Sequence, residues 1–180
     1  MFYCFLADGF EETEAIAPID ILRRAGVRVC TVGVGGDVIR SSHNLYVTAD
    51  INISQFEINE GIEGVILPGG MPGVTNLYAE ERVLEAVRYC NDNDLYVCAI
   101  CAAPMILGKL GILNGKKATC FPGFEKDLEG ASVTGKHVTA DGKTITAKGA
   151  GCALEFGFKI VEAVRGKKAA DNVAVSMQCK

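Results

Sequence analysis

One cysteine stands where a strand should end and a helix begin. In YVCAICAAPMILGKLGILNG, residues 96–115, a short run of β-forming apolar residues ends on Cys101, and Ala102, Ala103 and Pro104 lead into an amphipathic segment. A side chain on so sharp a turn is lifted out of the sheet and faces the first unpaired N–H groups of the helix. The positive helix end favours thiolate over thiol, so the sequence predicts a nucleophilic Cys101 with a pKa well below the ordinary ~8.5. Ala102 and Ala103 fit a turn with no room for bulk, and Pro104 suits a first helical turn, where no N–H is needed. Two other segments carry groups for the same chemistry. Gly69 and Gly70, in VILPGGMPG, let the backbone approach a ligand closely, and their N–H groups, with that of Ala102, can hold a developing oxyanion. In EETE, residues 11–14, the acids favour a helix start through its dipole; Glu11 and Glu14 also lie three apart on one helical face, where one of them can turn inward.

These residues need a frame that brings them together. Phe2 to Ala7 read as a strand stopped by Asp8-Gly9, and Ala15, Ile16, Ile19 and Leu22 then recur at helical spacing up to Gly26. VRVCTVGV is a second strand, and GDVIRSSHNLYVTADINI reads as a hairpin of short strands. EGVILPGGMPG is a buried strand running into a Gly/Pro-rich loop, and AEERVLEAVRYCND is helical. After the strand and helix around Cys101 come short strands near Ala118 and Ser132, a hairpin on Asp141-Gly142 in HVTADGKTITAKG, and a closing helix, CALEFGFKIVEAVRG. Strands that alternate with helices as near-continuous Val/Ile runs predict an α/β fold, a mostly parallel sheet with helices on both faces. In such sheets ligands bind beyond the carboxyl ends of the strands, where the loops at Asp8–Glu14, Pro68–Gly73 and Ile100–Pro104 converge. The chain shows no repeat, linker or low-complexity tract, so residues 1–180 read as a single domain.

Composition narrows the partners. A domain of 180 residues, 49% hydrophobic with 5 prolines, buries about two thirds of its unfolded surface and folds alone. With a net charge of −4 and no basic cluster longer than Arg165-Gly166-Lys167-Lys168, nucleic acid is not an expected partner. The N-terminus has no basic leader and no run reaches the length of a membrane span, which predicts a cytoplasmic protein without a membrane partner. The 8 cysteines are scattered among apolar residues, as reduced thiols used for packing are. Cys98 and Cys101 form a C-x-x-C, but no second pair completes a zinc site, and Cys98 belongs to the strand as packing; no metal is expected.

DGFEETEAIAPIDILRRAG, GVILPGGMPG, VCAICAAPMILGKLGIL and AKGAGCALEFGFKIVEAVRG, in this order and spacing, resemble the ThiJ/PfpI superfamily, in its DJ-one-like branch. The resemblance covers nearly the whole chain. It implies a flavodoxin-like three-layer sandwich, a homodimer, and a reactive cysteine on a nucleophile elbow. By that resemblance the cysteine is Cys101, its partner carboxylate Glu14, and the backbone oxyanion site Gly70 and Ala102, with Gly69, Phe121 and Pro122 in the pocket. Two departures stand out. Many relatives place a histidine before the proline that is Pro122, where this chain has Phe121; the protease branch places histidine directly after its cysteine, where this chain has Ala102. Nothing in the local sequence ties His43 or His137 to the elbow, so neither a Cys–His protease nor an amidotransferase mechanism is expected. His43 reads as a surface or interface residue. The chain ends on AADNVAVSMQCK and reads as lacking the extra C-terminal helix of animal members, which implies a more open pocket.

Without an imidazole, Glu14 carries the proton chemistry. A carboxylate beside a thiolate is a like-charge pair, so one of them keeps a proton; the helix end assigns it to Glu14, with a raised pKa. Two functions use this arrangement. In the first, Cys101 adds to a small aldehyde or dicarbonyl such as methylglyoxal and Glu14 moves protons on the way to a hydroxy acid, without a cofactor, in line with the glyoxalase and protein-deglycase activities that the resemblance implies. In the second, peroxide takes Cys101 to sulfinic acid in a redox sensor or chaperone of oxidative stress.

Overall fold

The computed structural model describes residues 1–179. Strand β1 (Phe2–Ala7) is apolar at every position because both its faces are covered. Phe2, Cys4 and Leu6 enter one apolar layer, Tyr3, Phe5 and Ala7 the other. Helix α1 (Glu12–Arg24) starts where the Glu11 carboxylate accepts the Glu14 N–H at 2.7 Å, and it lays Ala15, Ile19 and Leu22 on the sheet. After β2 (Val29–Val34), the hairpin of β3 (Val38–Arg40) and β4 (Tyr46–Thr48) stands apart from the main sheet, which β5 (Ile51–Asn52) rejoins at its edge. Then follow β6 (Gly64–Leu67), α2 (Gly73–Ala79), α3 (Glu81–Asp92), β7 (Tyr96–Ile100) and α4 (Pro104–Lys109). A small parallel pair, β8 (Lys117–Ala118) with β9 (Ser132–Val133), precedes the antiparallel hairpin of β10 (Val138–Asp141) and β11 (Thr144–Ala147); α5 (Ala153–Arg165) and α6 (Lys167–Ser176) complete the described elements.

The main sheet has seven strands in the order β10-β11-β7-β6-β1-β2-β5, parallel except for β10. One face carries α2, α3 and α4 through Val74, Leu77, Val83, Val87, Ile106 and Leu107. The other carries α1, α5 and α6 through Ala15, Ile19, Phe156, Ile160 and Val173. This is the flavodoxin-like three-layer arrangement expected from the sequence. From β1 the chain runs outward to β2, then returns to build on β1's other side with β6 and β7. That reversal opens a crevice beyond the carboxyl ends of β1 and β6, with β7 alongside.

Two elements depart from the sequence reading. The Gly/Pro-rich loop after β6 turns into α2 at Gly73, without a side-chain cap to announce it. The fold also does not close at Gly166: a positive φ of 86° there breaks the chain direction, and α6 then buries Ala170, Val173 and Ala174 against α5. Helix α5 is therefore not the closing helix expected from the sequence, because positions 170, 173 and 174 give the following segment a helical apolar face. No helix among the described residues is long and apolar enough to cross a membrane.

Candidate active site

Cys101 follows the last residue of β7 and adopts φ 65°, a left-handed conformation that residues with a Cβ seldom take. Its surroundings hold it there. Its N–H donates to the Ala147 carbonyl at the end of β11 (2.9 Å), and its own carbonyl accepts the Phe121 N–H (2.8 Å). Ala102 and Ala103 are buried and Pro104 opens α4, so small residues line the turn as the sequence predicts. The elbow turns the Cys101 sulfur, itself half-buried, toward the N–H groups of Ala102 and Gly70.

The two acids of the α1 start part company. Glu11 is taken up in capping the helix, while Glu14, 1% exposed, faces inward. Glu14 Oε2 accepts the Gly69 N–H at 2.9 Å, the Ala150 N–H supports the same carboxylate, and the Cys101 thiol is in hydrogen-bond contact with it. Gly69 is required here for space: a methyl on its Cα would overlap Glu14 Oε2 and lie 2.5 Å from Cys101 Cβ. Four loops thus meet, after β1, β6, β7 and β11. Sequence reasoning did not single out the last of them, Ala147 to Ala150, as part of the site; the glycines of AKGAG were its signal, and at Gly149 an added Cβ would meet the Phe121 ring at 3.3 Å.

The electrostatics belong to the pair. Burial raises the Glu14 carboxyl to about 7, helped by the charge of Glu11, while the Cys101 hydrogen bond and the Gly69 and Ala150 N–H groups act the other way. Burial, then the Glu14 carboxylate, push the Cys101 thiol up, to about 12, against the pull of the Ala102 and Gly70 N–H groups. The depressed cysteine pKa expected from the helix end is thereby corrected. Helix α4 has six residues and begins three positions past the sulfur, whereas a buried carboxylate touches it. Both groups are raised, so the Cys101 thiol holds its proton and Glu14, which loses its own near pH 7, is the acceptor within reach of it.

Neither histidine joins this centre. His43 is exposed, with Nδ1 3.1 Å from Glu12 Oε1, and His137 is exposed 3.4 Å from Glu155 Oε2. Cys98 is fully buried among the residues under α1 and α5, while Cys101 is half-buried at the elbow, and all the cysteines described are free thiols. Among the described residues, Glu11, Glu12 and His43 bring three possible metal-ligand atoms within 4.8 Å of one another, but Glu11 caps α1 and Glu12 is engaged by His43 and Ser42. Phe121 is 47% exposed beside the elbow, and Pro122 is exposed next to it.

The chain matches the DJ-1/PfpI family over residues 2–163, a span that contains every residue named at the site. It belongs to the DJ-1/PfpI family. Within that family it is 36% identical over 172 residues to the protein dj-1beta of Drosophila melanogaster, covering 94% of this chain and 91% of the fly protein. It is 34% identical to DJ-1 homolog B of Arabidopsis thaliana over 91% of its own length but only 37% of the plant protein's. Among solved structures, Toxoplasma gondii DJ-1 in an oxidised form superposes with a TM-score of 0.94 at 31% identity, covering 98% of this chain and 97% of that one. The family resemblance assigned Cys101, Glu14, Gly70 and Ala102 to one centre, and the fold brings these four together.

Proposed function

We propose that this DJ-1/PfpI protein is a cofactor-independent enzyme that converts small reactive dicarbonyls such as methylglyoxal into hydroxy acids. The observation that carries the reading is the buried Glu14 carboxylate, raised to about 7 and in contact with the Cys101 thiol, at a site without an imidazole. As the sulfur adds to the aldehyde carbon, the S–C bond forms, the carbonyl π bond breaks and the thiol proton passes to Glu14. The new oxyanion lies toward the Gly70 and Ala102 N–H groups and takes that proton back from Glu14 to become the hemithioacetal hydroxyl, which leaves Glu14 ionised. Glu14 next takes the proton from the former aldehyde carbon and returns it to the neighbouring carbon, while the hemithioacetal hydroxyl proton passes to the oxygen of that neighbouring carbon, which leaves a 2-hydroxy thioester of Cys101. Water hydrolyses it to the 2-hydroxy acid and regenerates the thiol, so the overall change adds one water and needs no oxidant. The test is methylglyoxal turnover by the purified protein without added thiol or metal, with lactate as product. Wild type is expected to form lactate over many turnovers and Cys101→Ser to form none; equal rates would overturn the reading.

One finding favours a second reading, a redox sensor: the oxidised form in which the Toxoplasma gondii relative was solved. One peroxide would oxidise the Cys101 thiol to sulfenic acid and a second to sulfinic acid, each releasing water, and a protonated Glu14 would donate a hydrogen bond to the oxidised sulfur. A sensor is expected to show negligible lactate formation, with sulfinate forming in Glu14→Gln and not in Glu14→Leu.

A homodimer is part of the same proposal. Its support is the exposed apolar set Ile16, Leu45 and Tyr46 on α1 and the β3–β4 hairpin, where Ile16 and Val47 line one surface depression.

A further inference from the structure

We propose that Phe121 sets the substrate preference of this site, its ring serving as the platform for an apolar, and best an aryl, substituent on the dicarbonyl. The inference rests on the dicarbonyl reading above and adds the substrate class. The ring's position carries it. A Cβ on Gly149 would meet Phe121 Cδ2 at 3.3 Å, Cε2 at 3.7 Å and Glu14 Oε1 at 3.9 Å, so the ring and the general base converge on the same bare stretch of backbone. Phe121 is also tied to the nucleophile itself, its N–H donating to the Cys101 carbonyl at 2.8 Å, while its carbonyl accepts the Phe124 N–H at 3.1 Å in a turn that fixes the loop.

Two further facts point to an apolar substituent. The groups acting most strongly on Cys101 and Glu14 include no cation that would pair with a carboxylate or phosphate on the substrate; Lys148, next to Gly149 in the chain, acts on the Cys152 thiol. Phe121 meanwhile leaves 47% of its surface exposed, and its ring has no hydrogen-bonding group, so a substituent lying on it would cover apolar surface. A flat aryl group gains more from that face than a methyl does, through both area and ring stacking.

The test compares kcat/KM for phenylglyoxal and methylglyoxal in wild type, Phe121→Leu and Phe121→Ala. Wild type is expected to prefer phenylglyoxal, and the preference to fall by about three- to tenfold in Phe121→Ala, with Phe121→Leu between. An unchanged ratio in Phe121→Ala overturns the proposal. A second arm does not depend on turnover: Cys101 is alkylated with iodoacetamide or N-phenyl-iodoacetamide, the S–C bond forming as iodide leaves, and labelling is read on the Cys101 peptide by mass spectrometry. The aryl-to-plain rate ratio should fall similarly in Phe121→Ala. If neither dicarbonyl is turned over, the enzyme reading fails, and this ratio decides the role of the ring by itself: a fall sustains it, no change overturns it.

Discussion

At Glu14 the interest of the molecule conflicts with its stability. A carboxyl raised from about 4.5 to about 7 by burial stabilises the fold below its unfolded pKa, and that stabilisation is lost as pH rises from about 4.5 through 7, because ionising it in the native state is costly. Glu14→Gln keeps an oxygen to accept the Gly69 N–H and removes the ionisation. Its thermal midpoint should therefore exceed that of wild type at pH 8, on the order of 2–3 kcal/mol of stability, and the gap should close by pH 5. Calorimetry at both pH values checks this; a variant less stable than wild type at pH 8 would contradict it. At this scale Cys101 was legible, since a cysteine at a strand-to-helix junction among small residues has few other reasons to be there. Its protonation state was not, because the dipole argument uses only the residues adjacent in sequence, and the carboxylate that outweighs it comes from α1. Nor did EETE alone separate Glu11 from Glu14: both suit a first helical turn, and only the cap geometry shows which turns inward.

The elements set how closely α1 can hold Glu14 over the sheet. Helix α5 packs on α1 through Gly157, where an added Cβ would lie 2.8 Å from Ile21 Cδ1 and 3.1 Å from the Pro18 Cα. Gly157→Leu suits a helix in isolation, so any loss reports packing alone. It should destabilise the protein by about 1–3 kcal/mol and lower the thermal midpoint by roughly 3–10 °C, and an unchanged midpoint would show that the helices are not in the contact described. The buried strands and the long helices were legible because both their faces or one clear stripe are apolar. Helix α2 was not, since it follows a Gly/Pro-rich loop with no capping side chain, and α6 was not, since Asp171 and Asn172 interrupt a short alanine-rich stretch whose buried face has only Ala170, Val173 and Ala174. The bare backbone at Gly149 was passed over for a related reason: its φ of 165° is extended and open to any residue, so the requirement for glycine there comes from the Phe121 ring across the loop.

The whole molecule brings residues 14, 69, 101 and 150 to one place, because the strand order reverses beside β1 and every contributing loop leaves the same end of the parallel sheet. That convergence followed from the alternating pattern of strands and helices; which side chains touch did not, since it depends on sub-ångström packing at Gly69. The surface outside the site makes its own prediction. If Ile16, Leu45 and Tyr46 form the face between two copies, wild type should sediment at twice the chain mass and Tyr46→Glu at the monomer mass, with the dimer persisting in Tyr46→Glu as the contrary result. The central claim is that one buried base beside one thiol performs the chemistry, and the pH dependence of methylglyoxal kcat/KM in wild type and Glu14→Gln tests it most directly. Wild type should rise as pH passes through about 7, where Glu14 loses its proton and becomes able to take that of Cys101. Glu14→Gln should lose that rise along with a factor on the order of 10²–10⁴ in rate. A Gln variant as fast as wild type, with the same rise near pH 7, would contradict the account.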